Sequence, residues 1–155
     1  MRWRIPRWLA RAPIPVFRRG FGWVLGPRLL LLEHLGRRTK LPRYVVLEVL
    51  DHGPGEWYVV AAYGQHAQWL RNVQQHPRVR VWWQRLRGVP CDAYVVDRTE
   101  AREHFSRYVL RNPRTARFLA RLTMGAPAHL SAVGLIDHLT REARLVCVTG
   151  NARAA

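Results

Sequence analysis

The residues best equipped for chemistry stand together in one short stretch, Gly36-Arg37-Arg38-Thr39-Lys40-Leu41-Pro42-Arg43. Each arginine presents a planar fork of donors that can meet phosphate or carboxylate oxygens two at a time, and Lys40 adds a point charge. Main-chain N–H groups of a tight loop supply shorter contacts to the same anion. The chemistry this suits is the holding of a multiply charged anion. The bland alternative is a solvated basic turn, and on the loop alone that alternative is the stronger.

The elements around the stretch must position it. Residues 29–32 are four leucines that read as a helix, which Gly36 would end in a left-handed conformation. Pro42 biases Leu41 towards extended geometry, and 44–50 reads as a strand. A basic loop between helix and strand is the expectation.

The bulk numbers narrow the partner's sign. The chain has 155 residues, enough for one domain with a core, and 48% of them are hydrophobic, which argues against disorder. Lys and Arg number 26 against 10 Asp and Glu, a formal net charge of +16. That excess requires an anionic neighbour: nucleic acid, an acidic membrane surface or a polyanionic small molecule. Cys91 and Cys147 lie in apolar, strand-like stretches with no C-x-x-C spacing, so buried free thiols are expected. The histidines show no metal-ligand spacing, and no metal is expected.

Residues 1–19 form a basic, aromatic arm, with Trp3, Trp8 and Phe17 among Arg2, Arg4, Arg7, Arg11, Arg18 and Arg19 and with Pro6, Pro13 and Pro15 breaking it up. The apolar stretch 20–32 is too short and too interrupted by Pro27 and Arg28 to span a bilayer. It also fits a signal peptide poorly, because no small-residue cleavage site follows. Two roles fit the arm and its helix equally. They can lie at an acidic membrane interface, with tryptophan rings at headgroup depth, or they can cover one end of the fold. The expected location is cytoplasmic, peripheral to the inner face of the plasma membrane if the arm meets lipid.

Beyond Arg43 the pattern becomes period two. Val45, Leu47 and Val49 share a face, Asp51-His-Gly-Pro-Gly55 turns, and 56–63 returns as the second strand of a hairpin ended by Gly64. Residues 67–76 read as a short helix that buries Trp69, Leu70 and Val73 and stops before Pro77. A second hairpin follows over 78–84 and 89–96, with a turn at 85–88 and Pro90 at an edge or bulge. An amphipathic helix spans 98–111 with Thr99 as N-cap and Glu100 and Glu103 in its first turn. A further helix starts at Pro113 and runs through Phe118, Leu119 and Leu122. Beyond the break at 125–127 comes a less regular helical stretch, then a last strand over 144–149. The fold class is α+β: a small antiparallel barrel with helices covering its ends. The organisation is residues 1–35 as arm and helix, 36–150 as the barrel domain, and 151–155 as a tail.

Three blocks taken in order resemble a known family. They are Gly36-Arg-Arg-Thr with Arg43, then Ala61-Ala-Tyr-Gly64, then Trp69-x-x-Asn72-Val73 with Pro77, Val79 and Val81. Together they are similar to the deazaflavin-dependent nitroreductase family, whose members have a split β-barrel fold and use reduced coenzyme F-420. The resemblance implies that Arg37, Arg38 and Thr39 hold the coenzyme's phosphate and acidic tail, with Arg43 and Tyr44 approaching from the strand entrance. It implies that Ala61, Ala62, Tyr63 and Gly64 run beside the deazaflavin ring, and that Trp69, Leu70, Arg71, Asn72 and Val73 line the other side. The sequence departs from the family pattern in three places. Lys40 replaces the loop's second glycine, a serine near Tyr63 is missing, and a C-terminal tyrosine-rich stretch is missing.

The implied activity is hydride transfer from reduced coenzyme F-420 to a quinone-like or nitro-aromatic acceptor, with Trp57, Tyr63 and Trp69 as candidates for an aromatic wall and Tyr108 or His104 for a proton source. FMN is the competing cofactor. The rival class is a non-catalytic basic module for a flavin-type cofactor, an acidic membrane surface or nucleic acid. Tryptophan among arginines can stack bases. No nucleic-acid-binding motif is visible, however, and the charge runs along the whole chain, so nucleic acid is not the expected partner. A protein that stores the coenzyme without turnover would have the same sequence features.

Overall fold

Alternation of apolar side chains dictates most of the architecture. A computed structural model of the chain describes residues 11–150, apart from the side chains of Leu122 and Thr123. The first half of the arm, with Trp3 and Trp8, and the 151–155 tail lie outside the described residues. Six strands close into a barrel: β1 (Leu29–Leu35), β2 (Pro42–Gly53), β3 (Glu56–Ala61), β4 (Arg78–Trp83), β5 (Leu86–Val95) and β6 (Arg144–Gly150). Their order around the barrel is β1-β2-β3-β6-β5-β4, with every neighbour antiparallel. Closure removes the exposed edges that would invite strand addition.

The leucine run at 29–32 is a strand, not a helix. Leu30, Leu31 and Leu32 are all fully buried, and a run apolar on both faces carries no period to separate helix from strand. Its partners decide the matter: Leu32 faces Val45 of β2 on one side and Val81 of β4 on the other. Five expected strands thus become six, and the added one completes the ring. Gly36 therefore ends no helix, and its backbone is not left-handed. What it supplies is room, since a Cβ there would lie 2.6 Å from Thr39 Oγ1.

Inward side chains of all six strands fill the barrel, among them Leu30, Leu47, Trp57, Val59, Val81, Ala93 and Val148. Helix α2 (Gln68–Gln75) plugs one end with Trp69, Leu70 and Val73. The preceding helix α1 (Ile14–Arg18) is one short turn that buries Phe17, and a 3-10 turn, Gly22–Leu25, follows it at the opposite end. Helices α3 (Arg98–Arg111), α4 (Pro113–Met124) and α5 (Ala132–Glu142) build a second core over the outer face of β3 and β6. There Val60, Leu145 and Cys147 meet Phe105, Leu135 and Leu139. Both cysteines are buried and free.

Local signals place most elements, while several boundaries shift: β2 runs from Pro42 through to Gly53 and β3 stops at Ala61, short of Tyr63. Asp97, not Thr99, caps α3: its carboxylate accepts from Thr99 N at 2.9 Å and Glu100 N at 3.0 Å. Glu100 is then the only acid in the first turn, and Glu103 lies beyond it. The β4–β5 turn falls at Gln84 and Arg85 because Gln84 takes φ 51°, so Trp83 pairs with Leu86 and β5 starts three residues earlier than its apolar pattern suggests. Pro90 pairs with Arg80, one residue before β5 meets β6 at Cys91, so its missing N–H breaks no ladder there.

If β1 closes the barrel, Leu32→Ala leaves a cavity between two sheet partners. We expect a loss of about 2–5 kcal/mol in urea unfolding, with the far-UV circular dichroism of the folded state unchanged.

Candidate functional site

The loop joining β1 to β2 carries the four cations, and two main-chain hydrogen bonds shape it. Gly36 N–H donates to Leu41 O at 2.9 Å, and Lys40 N–H donates to Gly36 O at 2.8 Å. This conformation puts Lys40 at φ 57°. Lysine there strains the backbone by about 1–2 kcal/mol, at the position where the family's loop usually has glycine. The Lys40 ammonium reaches His76 Nε2 just past the end of α2.

Helix α2 also holds the loop through one buried side chain. Asn72, 4% exposed, accepts at Oδ1 from both the main-chain N–H and Nη1 of Arg37, each at 3.1 Å. Its Nδ2 donates to Nδ1 of His34 at 3.2 Å. His34 points inward from β1 and is likewise buried. Burial first, and then the positive charge of Arg43, lower its pKa to about 4. The imidazole is therefore neutral at pH 7, with Nδ1 free to accept.

The remaining cations stay available. Arg38, Lys40 and Arg43 are exposed, and neither they nor Arg37 form an ion pair among the described residues. The main-chain N–H groups of Arg38 and Thr39 have no partner among the described residues. Thr39 Oγ1 accepts from Leu41 N–H at 3.4 Å. Four positive groups and two unused donors thus stand on one anchored loop, with no carboxylate paired to them among the described residues.

The second block leads into α2. After Ala61 the chain makes a 3-10 turn, Gly64–His66, with Gly64 at φ +54° and a Cβ there would lie 2.5 Å from Glu142 O. Only glycine fits this approach. Ala62, Tyr63 and Gly64 line a cavity of about 220 Å³ shared with His66, Arg141 and Arg144. Arg71 Nε donates to Gln65 O at 2.9 Å, so α2 ties this turn as well as the basic loop. A larger groove of about 900 Å³ runs along β1, β4 and β5 to the end of β6, where inward His34, Val79 and Cys91 line it together with Glu33, Asp92, Arg78 and Arg80. Its mixed charge does not select an anion.

The sequence-predicted residues separate into three groups. Arg37, Arg38, Thr39 and Arg43 stand on the basic loop, which Asn72 meets from the buried side of α2, while Arg71 turns instead to Gln65. Ala62, Tyr63 and Gly64 line the small cavity. Ala61, Trp69, Leu70 and Val73 turn their side chains into the barrel core, as does Trp57. Tyr44 stands on the outer face, edge-on to Trp82 at 6.0 Å and under the guanidinium of Arg18 at 5.1 Å. The suggested proton sources lie elsewhere. His104 is buried against Tyr58 and beside Asp51 and Arg107, and Tyr108 donates to Glu48 at 2.7 Å. Both stand over the end of β2 opposite Arg43. Burial pushes the Tyr108 phenol up, which suits a structural hydrogen bond. His34 was hidden from sequence reading by the helix assigned to its leucine run. No signal in the sequence marks Arg141 or Arg144 as neighbours of Tyr63.

Residues 16–124 match the family of the F-420H(2)-dependent quinone reductase. The chain belongs to that family. As a member it is a reductase that depends on coenzyme F-420. No curated protein matches it. Solved structures share its fold at low identity. A chain described as a domain-swapped dimer is 19% identical, with 91% of this chain and 96% of that one covered at a TM-score of 0.56. An F-420-H2 dependent reductase is 20% identical, with 78% and 93% covered at 0.50. A Clostridium acetobutylicum protein of the pyridoxinephosphate oxidase family is 9% identical, with 88% and 84% covered at 0.51. The fold is thus the split barrel of pyridoxamine-oxidase-like proteins. The uncompensated cations and free N–H groups of the loop fit the coenzyme's phosphodiester and acidic tail.

Two outcomes test this geometry. The folded chain holds His34 near 4 against 6.5 when unfolded, so the unfolded state takes up the proton first as pH falls. The His34 contribution to stability is complete above pH 6.5 and drains away towards pH 4. Urea midpoints should fall over that window in the native chain and fall less steeply in His34→Gln. Gly64→Ala should cost about 1–3 kcal/mol in thermal unfolding, because the new Cβ meets main chain rather than a movable side chain.

Proposed function

We propose that the protein reduces a quinone-like acceptor with coenzyme F-420 held between the 36–43 loop and α2; a nitro-aromatic is the second acceptor class. The observation that supports this reading is the Arg37–Asn72 clamp, which fixes a loop of cations that have no carboxylate partner among the described residues. When bound, the reduced deazaflavin supplies a hydride from its C5. Arg38, with the free N–H groups of Arg38 and Thr39, would hold the phosphate, and Arg43 would add charge at the strand entrance. Arg37 already spends one donor on Asn72, so its part is to fix the loop's direction while its other guanidinium donors stay open. The main chain at Ala62–Gly64 would border the ring, and Tyr63, half-exposed, can cover an aromatic face. Trp69, Leu70 and Val73 would act from beneath by keeping α2 seated in the barrel. Transfer needs the acceptor within roughly 3–3.5 Å of the donor carbon, so the protein's task is placement and exclusion of water.

Titration separates grip from scaffold. Arg38→Ala removes one charge-assisted contact, about 1.5–3 kcal/mol, and should weaken coenzyme binding roughly ten- to a hundredfold at unchanged melting temperature. Asn72→Ala should lower affinity and melting temperature together, because it strands the buried His34 and the Arg37 N–H. Unaltered titration of Arg38→Ala, or tighter binding of FMN than of the deazaflavin, would remove the assignment. Steady-state reduction of a soluble quinone against a nitro-aromatic, each with the reduced coenzyme, ranks the two acceptors.

A further inference from the structure

At the end of the barrel away from the basic loop, the chain displays apolar side chains where a folded protein ordinarily hides them. Phe21, Trp23 and Val24 are 53%, 54% and 62% exposed, consecutive but for the buried Gly22. Their exposure does not come from a loose backbone. Val24 N–H donates to Phe21 O at 3.0 Å and Gly26 N–H to Trp23 O at 3.2 Å, closing the 3-10 turn. Gly22 lies so close to the Phe17 ring that a Cβ would stand 2.7 Å from it. Just downstream, Trp83 Nε1 donates to Pro27 O at 2.9 Å. The turn is pinned on both sides and holds three apolar groups out into water.

Around this tip the charge has one sign. Arg18, Arg19, Arg85 and Arg87 are exposed, and Arg87 lies against the turn, donating to Arg18 O at 3.2 Å and passing within 3.2 Å of the Cβ position of Gly20. None of the four forms an ion pair among the described residues. Arg28 is the nearby arginine that does, with Glu48 at 3.2 Å. An aromatic and aliphatic tip inside a collar of arginines suits one chemistry: acyl chains under anionic headgroups. A second copy of this chain suits it badly. A two-fold contact through the tip would bring each collar against its own image, between molecules that each carry +16. No described helix is long and apolar enough to cross a membrane, so the attachment would be peripheral.

The geometry points to the Phe21–Trp23–Val24 turn as a wedge that seats the protein on an acidic lipid bilayer, the coenzyme loop facing away from the surface. The two ends are fixed by β1, which starts at Leu29 just after the turn and ends at Leu35, where the basic loop begins. That separation has a use. Anionic lipid and the anionic coenzyme would otherwise compete for the same arginines. The attachment does not depend on which acceptor is reduced, nor on the coenzyme assignment.

The test is sedimentation of the full chain with vesicles of phosphatidylcholine alone and of phosphatidylcholine with phosphatidylglycerol, at 0.1 M and 0.5 M salt. We expect binding to the mixed vesicles that weakens with salt, and little to the neutral ones. The triple variant Phe21→Ser, Trp23→Ser, Val24→Ser should lose at least tenfold in partitioning, and Arg19→Ala with Arg85→Ala several-fold. Both should keep the native melting temperature and coenzyme titration. Equal partitioning of the triple variant would place attachment elsewhere on the chain and overturn the proposal. Absence of native binding would overturn it too, as would a native dimer that the triple variant dissociates.

Discussion

One buried amide holds the site to the fold. Asn72 has a carbonyl with two lone pairs and an NH2 group, and the structure uses both ends: the carbonyl takes two donors from Arg37, and the NH2 donates to His34. This arrangement fixes the amide's orientation without ambiguity, because a flipped amide would face donors with donors. It also requires a neutral imidazole, which burial beside Arg43 enforces. β1 and the basic loop that follows it are thereby locked to α2, 35 to 38 residues further along the chain, by a handful of polar contacts. In a dry setting such contacts are costly to leave half made.

The rest of the molecule makes that lock possible. Trp69, Leu70 and Val73 seat α2 in the barrel mouth, so Asn72, on the same helix, has a fixed position from which to reach the loop. On the far face, α3 to α5 bury β3 and β6 and bring α5 up against Gly64, where Glu142 O leaves no space for a side chain. The polar contacts of His104 with Asp51 and of Tyr108 with Glu48 belong to this second layer. They tie α3 to β2, and neither group faces the loop.

Much of this was legible in the sequence, and the failures have physical causes. Strands with one wet face announced themselves by alternation, and α3 was readable to its ends because its amphipathic period and the following Asn112-Pro113 coincide with its bounds. The leucine run at 29–32 misled because a strand buried on both faces and a buried helix look alike without knowledge of their neighbours. That one misreading also concealed His34, whose inward direction follows only once β1 is a strand. At the site, residue types told which groups could hold an anion but not which would. The sequence could not say that Arg37 turns a donor to Asn72 while Arg38 stays free, nor that Trp69 faces the core. Those choices are made by tertiary packing.

Lys40 shows how far local rules constrain such a loop. The hydrogen bond from its own N–H to Gly36 O closes the turn and requires a left-handed residue at that position. Glycine would take that conformation without strain, yet would be more flexible in the unfolded chain. Lysine accepts the strain and brings a cation and a contact to His76 at the end of α2. The net effect is a stiffer, more positive loop, tied to α2 twice, through Asn72 and through His76. On the proposed reading, a loop already held in shape loses less entropy when the coenzyme's phosphate arrives. Strain at Lys40 and burial of Asn72 then serve the same end, which is to complete the ordering during folding rather than during binding.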